Sequence, residues 1–403
     1  MHVVFVEPSF PPNQRDFVRA LHAVGATITA IGEKGVDAEL RGWLAGYEEV
    51  RSDTDGAELR AAVRRIQARG WVDRLEATVE AHILPTAEVR EACGIPGTST
   101  RTAFLCRDKP AMKEVLREAG VPCALSTGAS SAAEVRAFAG EVGYPLILKP
   151  RDAAGAAGTF RADDASGLER AIRASGVERG VPTAVEEFVE GHEGFYDTLC
   201  IEGRVVHDFV SHYYPGVLEA MRSRWISPQV VCTNRVDAEG YAEVKEMSRR
   251  VVRVLGIGTS PTHMEWFFGP RGLKFSEIGC RPPGVRVWDL YGAANDLDMY
   301  LEWAKAIVHG HTDARASRRL AAGMIALRPE RDGRITGYES VDEVQRRFGA
   351  AILDSHFPAP GTPTQGVDAG YMANAWMRLC HSDYDELRRI LDAIGETVKV
   401  RAE

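Results

Sequence analysis

The stretch from Thr262 to Gly284, THMEWFFGPRGLKFSEIGCRPPG, constrains this chain more than any other segment. GPRG is a turn signal, and the apolar and aromatic residues flanking it predict two antiparallel strands joined by a tight hairpin. Strand side chains alternate between faces, which groups His263 with Glu265 on one strand, and Glu277 with Gly279 and Arg281 on the other. The two glutamates can then meet across the pair. Carboxylates held this close repel unless a cation stands between them, and hard oxygen ligands suit magnesium bridging nucleotide phosphates. Arg281, on the face of the second acid, is placed to neutralise charge developing on a transferred phosphoryl group.

Two glutamates on a solvated strand would carry no chemistry, so the segments upstream decide the reading. EVGYPLILKPRDAAGAAGTF begins at Glu141 with the end of a helix closed by Gly143, then enters the apolar strand Leu146 to Lys149. The loop Asp152 to Thr159 follows, with Gly155 and Gly158, and its small residues suit a mobile lid whose amides fold over phosphates. Lysine precedes this loop, whereas a Walker loop needs GxxxxGK[ST], so a P-loop is excluded. Farther on, TAVEEFVEGHEG places Glu186 and Glu187 on a short strand and Glu193 after a turn.

This order of features resembles the ATP-grasp superfamily, in particular its carboxylate–amine ligase and biotin carboxylase-like branches. The shared elements are a DK pair at a helix start (Asp108-Lys109), a strand lysine before a glycine-rich loop (Lys149), an acid-rich hinge (Glu186, Glu187, Phe188, Val189) and two metal acids. By that resemblance Lys109 and Lys149 contact ATP phosphates, under a loop that includes Gly155, Gly158 and Thr159. The hinge reads adenine through Glu186, Glu187 and the backbone near Phe188 and Val189, and Glu193 holds the ribose hydroxyls. Glu265 and Glu277 bind Mg2+, with Mn2+ as a substitute, and Arg281 and Lys149 serve the phosphoryl transfer. The match covers residues 105 to 310 well. One position departs from it: many relatives carry asparagine two residues past the second acid, and this chain has Gly279, which removes a side-chain oxygen from the metal shell.

The resemblance implies an ATP-grasp fold, mixed α/β and α+β, with an N-terminal parallel α/β domain and a small C-terminal α+β cap. Boundaries fall at 1–103, 104–190, 191–315 and 316–403. It also implies activation of a carboxylate by the γ-phosphate of ATP, release of ADP, and attack by an amine from an amino acid or small metabolite. Two alternatives stand beside that reading: a carboxylase acting through carboxyphosphate, and a non-catalytic ATP-binding protein for which Gly279 is the hint. For the substrates, Tyr213 and Arg222 in HYYPGVLEAMRSRWISPQ, and Arg286 just past the rigid Pro282-Pro283-Gly284 exit, are candidates to hold a carboxylate, with pairing to Asp289 as the plain alternative for Arg286.

Composition agrees with an enzyme of small molecules. At 403 residues the chain supports two to three lobes, and its net charge of -8 argues against a nonspecific nucleic-acid binder. The seven cysteines lack CxxC spacing, which predicts free thiols in a reducing compartment. MHVVFVEPSFPP shows no targeting signal, and no apolar run approaches a membrane span, so a cytoplasmic protein is expected, with a homodimer open as its assembly state. The first hundred residues read as strand Val3 to Val6, a helix from about Arg15 to Val24 and strand Thr27 to Ile31, a parallel arrangement whose first turn, EPSFPP, lacks GxGxxG and so excludes a dinucleotide site. IPGTSTRTA reads as a polar connection out of that domain. Helices follow at Pro110 to Ala119, after the Ser131–Glu134 capping box, and at Ala242 to Leu255.

Overall fold

A computed structural model of the chain describes residues 1–151 and 158–403. The N-terminal sheet is wholly parallel, in the order Gly46–Glu49, Thr27–Gly32, His2–Val6, Arg74–Glu76. Its strands His2–Val6 and Thr27–Gly32 are buried apolar runs, as a sheet covered on both faces requires. Helix Gln14–Ala23 turns Phe17, Val18 and Leu21 inward at helical spacing. The segment IPGTSTRTA is not merely a connection. Ser99 accepts the Thr102 N–H at 3.1 Å and caps a helix, Thr100–Leu105, a start signal that the polar composition hides.

The next sheet is antiparallel and small, in the order Ser126–Ala129, Thr183–Glu187, Leu146–Pro150, Phe160–Ala162. Helices Ala132–Val142 and Ala165–Ser175 cover one face of it. Val135, Leu168 and Ile172 from these helices pack on Leu146, Leu148 and Val185. Because strand residues alternate, Ile147, Lys149 and Glu186 lie on the opposite, uncovered face. The capping box is present: Ser131 Oγ accepts the Glu134 N–H and the Glu134 carboxylate accepts the Ser131 N–H.

The large sheet has eight antiparallel strands, ordered Gly272–Gly279, Ser260–Gly269, His192–Ile201, Arg204–Tyr214, Gln229–Cys232, Ala321–Leu327, Ala375–His381, Ile352–His356. Helix Ala242–Leu255 packs Val244, Met247, Val251 and Leu255 into the core with Tyr196, Met264 and Trp266, while helix Val287–Asn295 joins the core of Phe195, Leu199 and Phe209. The sheet runs past the expected division at 315, since its last three strands come from the C-terminal region. Strands Ala321–Leu327, Ile352–His356 and Ala375–His381 extend the central sheet, while Ile335–Glu339 and Lys399–Ala402 pair in a separate two-stranded sheet. Among the described residues, no helix is long and apolar enough to cross a membrane.

An aromatic cluster fastens the N-terminal domain to this body. Phe17 meets Trp303 edge-on at 5.0 Å, Tyr300 at 4.9 Å and Trp288 at 5.3 Å between ring centroids, and Phe5 meets Trp303 at 6.2 Å. Trp303 is only 1% exposed. Trp303→Ala is expected to lower unfolding stability by about 3–5 kcal/mol, as for other buried large-to-small substitutions. Urea denaturation measures this, and a loss under about 1 kcal/mol would show that the cluster does not fasten the two parts.

Candidate active site

The uncovered face of the small sheet and one face of the large sheet enclose a cavity of about 540 Å³. Its size lies in the usual range for a small-molecule site. Lys109, Lys149, Thr159, Glu186, Glu187, Phe188, Val189, Glu193, Arg222, Glu265 and Glu277 line it, so most of the residues expected from the sequence converge there. Gly158 sits beside Pro150 at φ 66, off the lining, and Gly155 lies outside the described residues, as does the 152–157 part of the expected lid.

The hairpin has the expected register. Glu265 and Glu277 are direct Cα partners, with a bulge just beyond them between Glu265 and Trp266. Glu265 is braced from behind: Tyr213 Oη donates to its Oε1 at 3.5 Å, and His263 Nε2 lies 3.6 Å from the same oxygen. His263 Nδ1 in turn lies 2.7 Å from Asp197 Oδ1, and Tyr291 Oη donates to Asp197 Oδ2 at 2.6 Å. Burial works against a charged His263, yet Asp197 and Glu265 outweigh it and lift its pKa to about 9. Tyr213 is thus a packed neighbour of Glu265 and does not line the cavity.

Lys109 opens helix Lys109–Glu118 behind the N-cap Asp108, whose carboxylate accepts the Ala111 N–H at 3.0 Å. The same carboxylate takes a bidentate pair from Arg151, Nε at 2.9 Å and NH2 at 2.8 Å, which ties the helix to the base of the glycine-rich loop. Lys109 Nζ stands 3.4 Å from Glu277 Oε2, and Lys149 Nζ lies 3.0 Å from Glu186 Oε2 and 3.9 Å from Glu277 Oε2. Burial disfavours the charge on Lys149, but Glu186 and Glu277 overcome it and raise its pKa. Glu186 is held down at about 2, since Lys113 and Lys149 together exceed the desolvation that would raise it. In the hinge, the Phe188 N–H donates to Pro145 O at 3.0 Å and Phe188 O accepts from Arg271, so the backbone of Phe188 itself is already engaged.

Glu193 behaves differently from the other acids. It accepts the Val217 N–H at 2.6 Å, yet burial and then the Glu265 charge push its pKa up to about 8.

Arg281 is not aimed at open space. It lines a small neighbouring pocket of about 20 Å³ with Glu80, Arg107, Lys109, His263, Glu277 and Gly279. Its Nε donates to Glu80 Oε2 at 2.6 Å, and Arg107 donates to Glu80 Oε1 at 3.4 Å. Gly279 gains a reason here: a Cβ at this position would come 3.3 Å from Glu80 Oε2, crowding that ion pair. Cys280 is buried with its Sγ 3.0 Å from Cys106 Sγ. Arg286 lies away from the lining, with Nε donating to Asp289 at 2.5 Å and NH2 to Asp16 at 3.4 Å, the plain pairing to Asp289. Arg222 lines the cavity and donates to Thr159 O at 3.2 Å. The sequence reading missed Lys113 and Glu80. Lys113 was detectable as the i+4 neighbour of Lys109 on one helix face, whereas nothing local marks Glu80, which arrives from the N-terminal domain.

Comparison with known proteins agrees with this geometry. Residues 114–294 match the ATP-grasp domain family. The chain is 27% identical to the L-arginine-specific L-amino acid ligase of Bacillus subtilis, over 88% of this chain and 86% of that one. It is 26% identical to the uncharacterized protein y4rH of Sinorhizobium fredii over 67% of this chain, spanning 55% of that relative's length. In fold it is similar to the crystal structure of the L-amino acid ligase from Bacillus licheniformis, with a TM-score of 0.79 at 17% identity over 100% of this chain and 98% of that one. It is also similar to N5-carboxyaminoimidazole ribonucleotide synthetase from Thermotoga maritima, with a TM-score of 0.69 at 17% identity, covering 100% of this chain and 99% of that one.

The Glu193 environment gives a sign that can be checked. An acid whose pKa is higher folded than unfolded binds protons in the folded state, so stability is full below the ordinary glutamate value of 4.5 and falls as pH rises toward 8. In chelator, Glu193→Gln should match the wild type near pH 4 and exceed it at pH 9, by on the order of a few kcal/mol. Thermal unfolding across pH measures this, and parallel curves for the two proteins would contradict it.

Proposed function

We propose that the chain is an ATP-dependent ligase that activates a carboxylate as an acyl phosphate, releases ADP and joins the acyl group to an amine, with amino acids as the substrate class. The observation that carries this reading is one cleft in which Lys109 and Lys149 face the in-register pair Glu265 and Glu277, with Arg281 just beyond. The ligase relatives support amino acids as substrates, since one of them is named for L-arginine and matches over most of both chains.

A nucleotide fits the cavity on its own chemistry. Glu186, on the cavity wall, has Lys113 Nζ 2.7 Å from Oε1 and Lys149 Nζ 3.0 Å from Oε2, and the neighbouring Glu187, Phe188 and Val189 that line the cavity would face the base. Lys109 and Lys149 would hold the phosphates, which asks of the protein mainly positioning and charge neutralisation. Glu265 and Glu277 fit a divalent cation, because they are carboxylates opposed on paired strands and a cation, Lys109 Nζ, already stands 3.4 Å from Glu277. Among the described residues no group of three or more metal-ligating side chains converges, so phosphate oxygens and water would complete the shell. When bound, the cation would neutralise the β- and γ-phosphate oxygens.

The steps follow from these positions. An oxygen of the substrate carboxylate attacks the γ-phosphorus, the bond to the β-phosphate oxygen breaks, and ADP leaves. The amine then attacks the acyl carbon, inorganic phosphate departs, and the amine gives up a proton. Arg281 is close enough to Glu277 to share a cavity wall with it, and its guanidinium would turn from Glu80 toward the transferring phosphoryl group. No side-chain nucleophile is needed.

Glu265→Gln and Glu277→Gln are each expected to lower kcat at least about 100-fold while ATP affinity changes less than about 10-fold, because the amide is a poorer cation ligand and misplaces the γ-phosphate. Phosphate release during a pairwise screen of amino acids, with mass detection of products, measures turnover. Wild-type turnover that persists in excess chelator, or that requires bicarbonate in place of a second amino acid, would overturn the assignment.

A further inference from the structure

Lys113 has no role in the reaction as derived above, yet it is the most buried of the cavity's three lysines. Its side chain is 1% exposed, against 8% for Lys109 and 15% for Lys149. Burial alone would expel such a charge, so its partner must hold it in place. That partner is Glu186, whose Oε1 lies 2.7 Å from Lys113 Nζ while Lys149 Nζ lies 3.0 Å from Oε2. One carboxylate is thus gripped by two ammonium groups. Lys149 is the shared member, because it also faces Glu277 across the cleft.

We propose that Lys113 is a positioning residue for the polyphosphate of the nucleotide: by neutralising Glu186 it leaves Lys149 able to turn to an entering phosphate instead of staying committed to the carboxylate. The inference rests on the nucleotide reading of the cavity. Without Lys113, Glu186 would be a buried anion with Lys149 as its near counter-ion, and phosphate would have to compete with it for that ammonium. The loss falls on the charged part of the ligand alone. A lysine that merely stabilised the fold or the hinge would affect nucleoside and nucleotide alike.

Calorimetry with ATP and with adenosine, on the wild type and on Lys113→Met, Glu186→Gln and the double variant, separates these roles. Lys113→Met should weaken ATP about 10- to 100-fold and adenosine less than about threefold. In the Glu186→Gln background the same substitution should cost ATP less than about threefold, since no carboxylate is left to capture Lys149. Should Lys113→Met not fold, Glu186→Gln alone carries the test: freeing Lys149 should raise the ratio of ATP to adenosine affinity. The proposal is overturned by equal losses for both ligands, by an unchanged ATP affinity in Lys113→Met, by the same ATP loss in both backgrounds, or by an affinity ratio in Glu186→Gln that stays level or falls. Failure of wild-type protein to bind ATP would sink the nucleotide reading and this inference with it. Normal binding that ignores Lys113 would sink this inference alone.

Discussion

Opposite charges held across a cleft between two sheets organise this molecule around one place. Glu265 and Glu277 face each other on paired strands, and repulsion between them is relieved by the ammonium groups of Lys109 and Lys149, which the DK helix and the small sheet deliver from the other side. Each partner is positioned by ordinary packing. Leu146, Leu148 and Val185 bury one face of the small sheet, and alternation then leaves Lys149 and Glu186 no other face to occupy. Asp108, gripped by Arg151, fixes the start of the helix that carries Lys109 and Lys113. These internal ion pairs give the cleft fixed partial neutrality before any ligand enters, so phosphate and cation would replace existing partners instead of meeting bare charges.

The N-terminal domain reaches the candidate site as well as packing against the body, through the ion pair of Glu80 with Arg281. The aromatic contacts of Phe5 and Phe17 with Trp288, Tyr300 and Trp303 seat it firmly, and that seating brings Glu80 to Arg281. Gly279 reads from the sequence as a loss, because it removes a side-chain oxygen expected near the metal. In the fold it lies beside Glu80, where a Cβ would come 3.3 Å from the Oε2 that pairs with Arg281. The small pocket lined by Glu80, Arg107 and Arg281 therefore joins two parts of the chain that lie far apart in sequence.

What the sequence made legible was local. The hairpin register, the strand–helix–strand opening, the Ser131 capping box and the helix Ala242–Leu255 follow from turn signals and from periods of 2 and 3.6 residues. Long-range relations were less visible. Membership of Ala321–Leu327, Ile352–His356 and Ala375–His381 in the central sheet is set by edge-to-edge pairing across more than one connection, which no local pattern encodes. For Arg286 the sequence left open a pairing with Asp289, three residues away, which the fold forms, whereas Asp16 reaches it only from the distant helix Gln14–Ala23. Lys113 was passed over for the opposite reason: a lysine inside an amphipathic helix is normally solvated, and only the strand bearing Glu186 turns it into a buried cation.

The central claim is that a carboxylate oxygen becomes bonded to the γ-phosphorus of ATP. Isotope transfer tests it most directly. Amino acids labelled with 18O in the carboxylate are supplied with ATP and an unlabelled amine, and the released phosphate is analysed by mass. The account predicts ADP formation with one labelled oxygen in each phosphate released. Consumption of ATP with unlabelled phosphate, or with AMP and pyrophosphate as products, would contradict it.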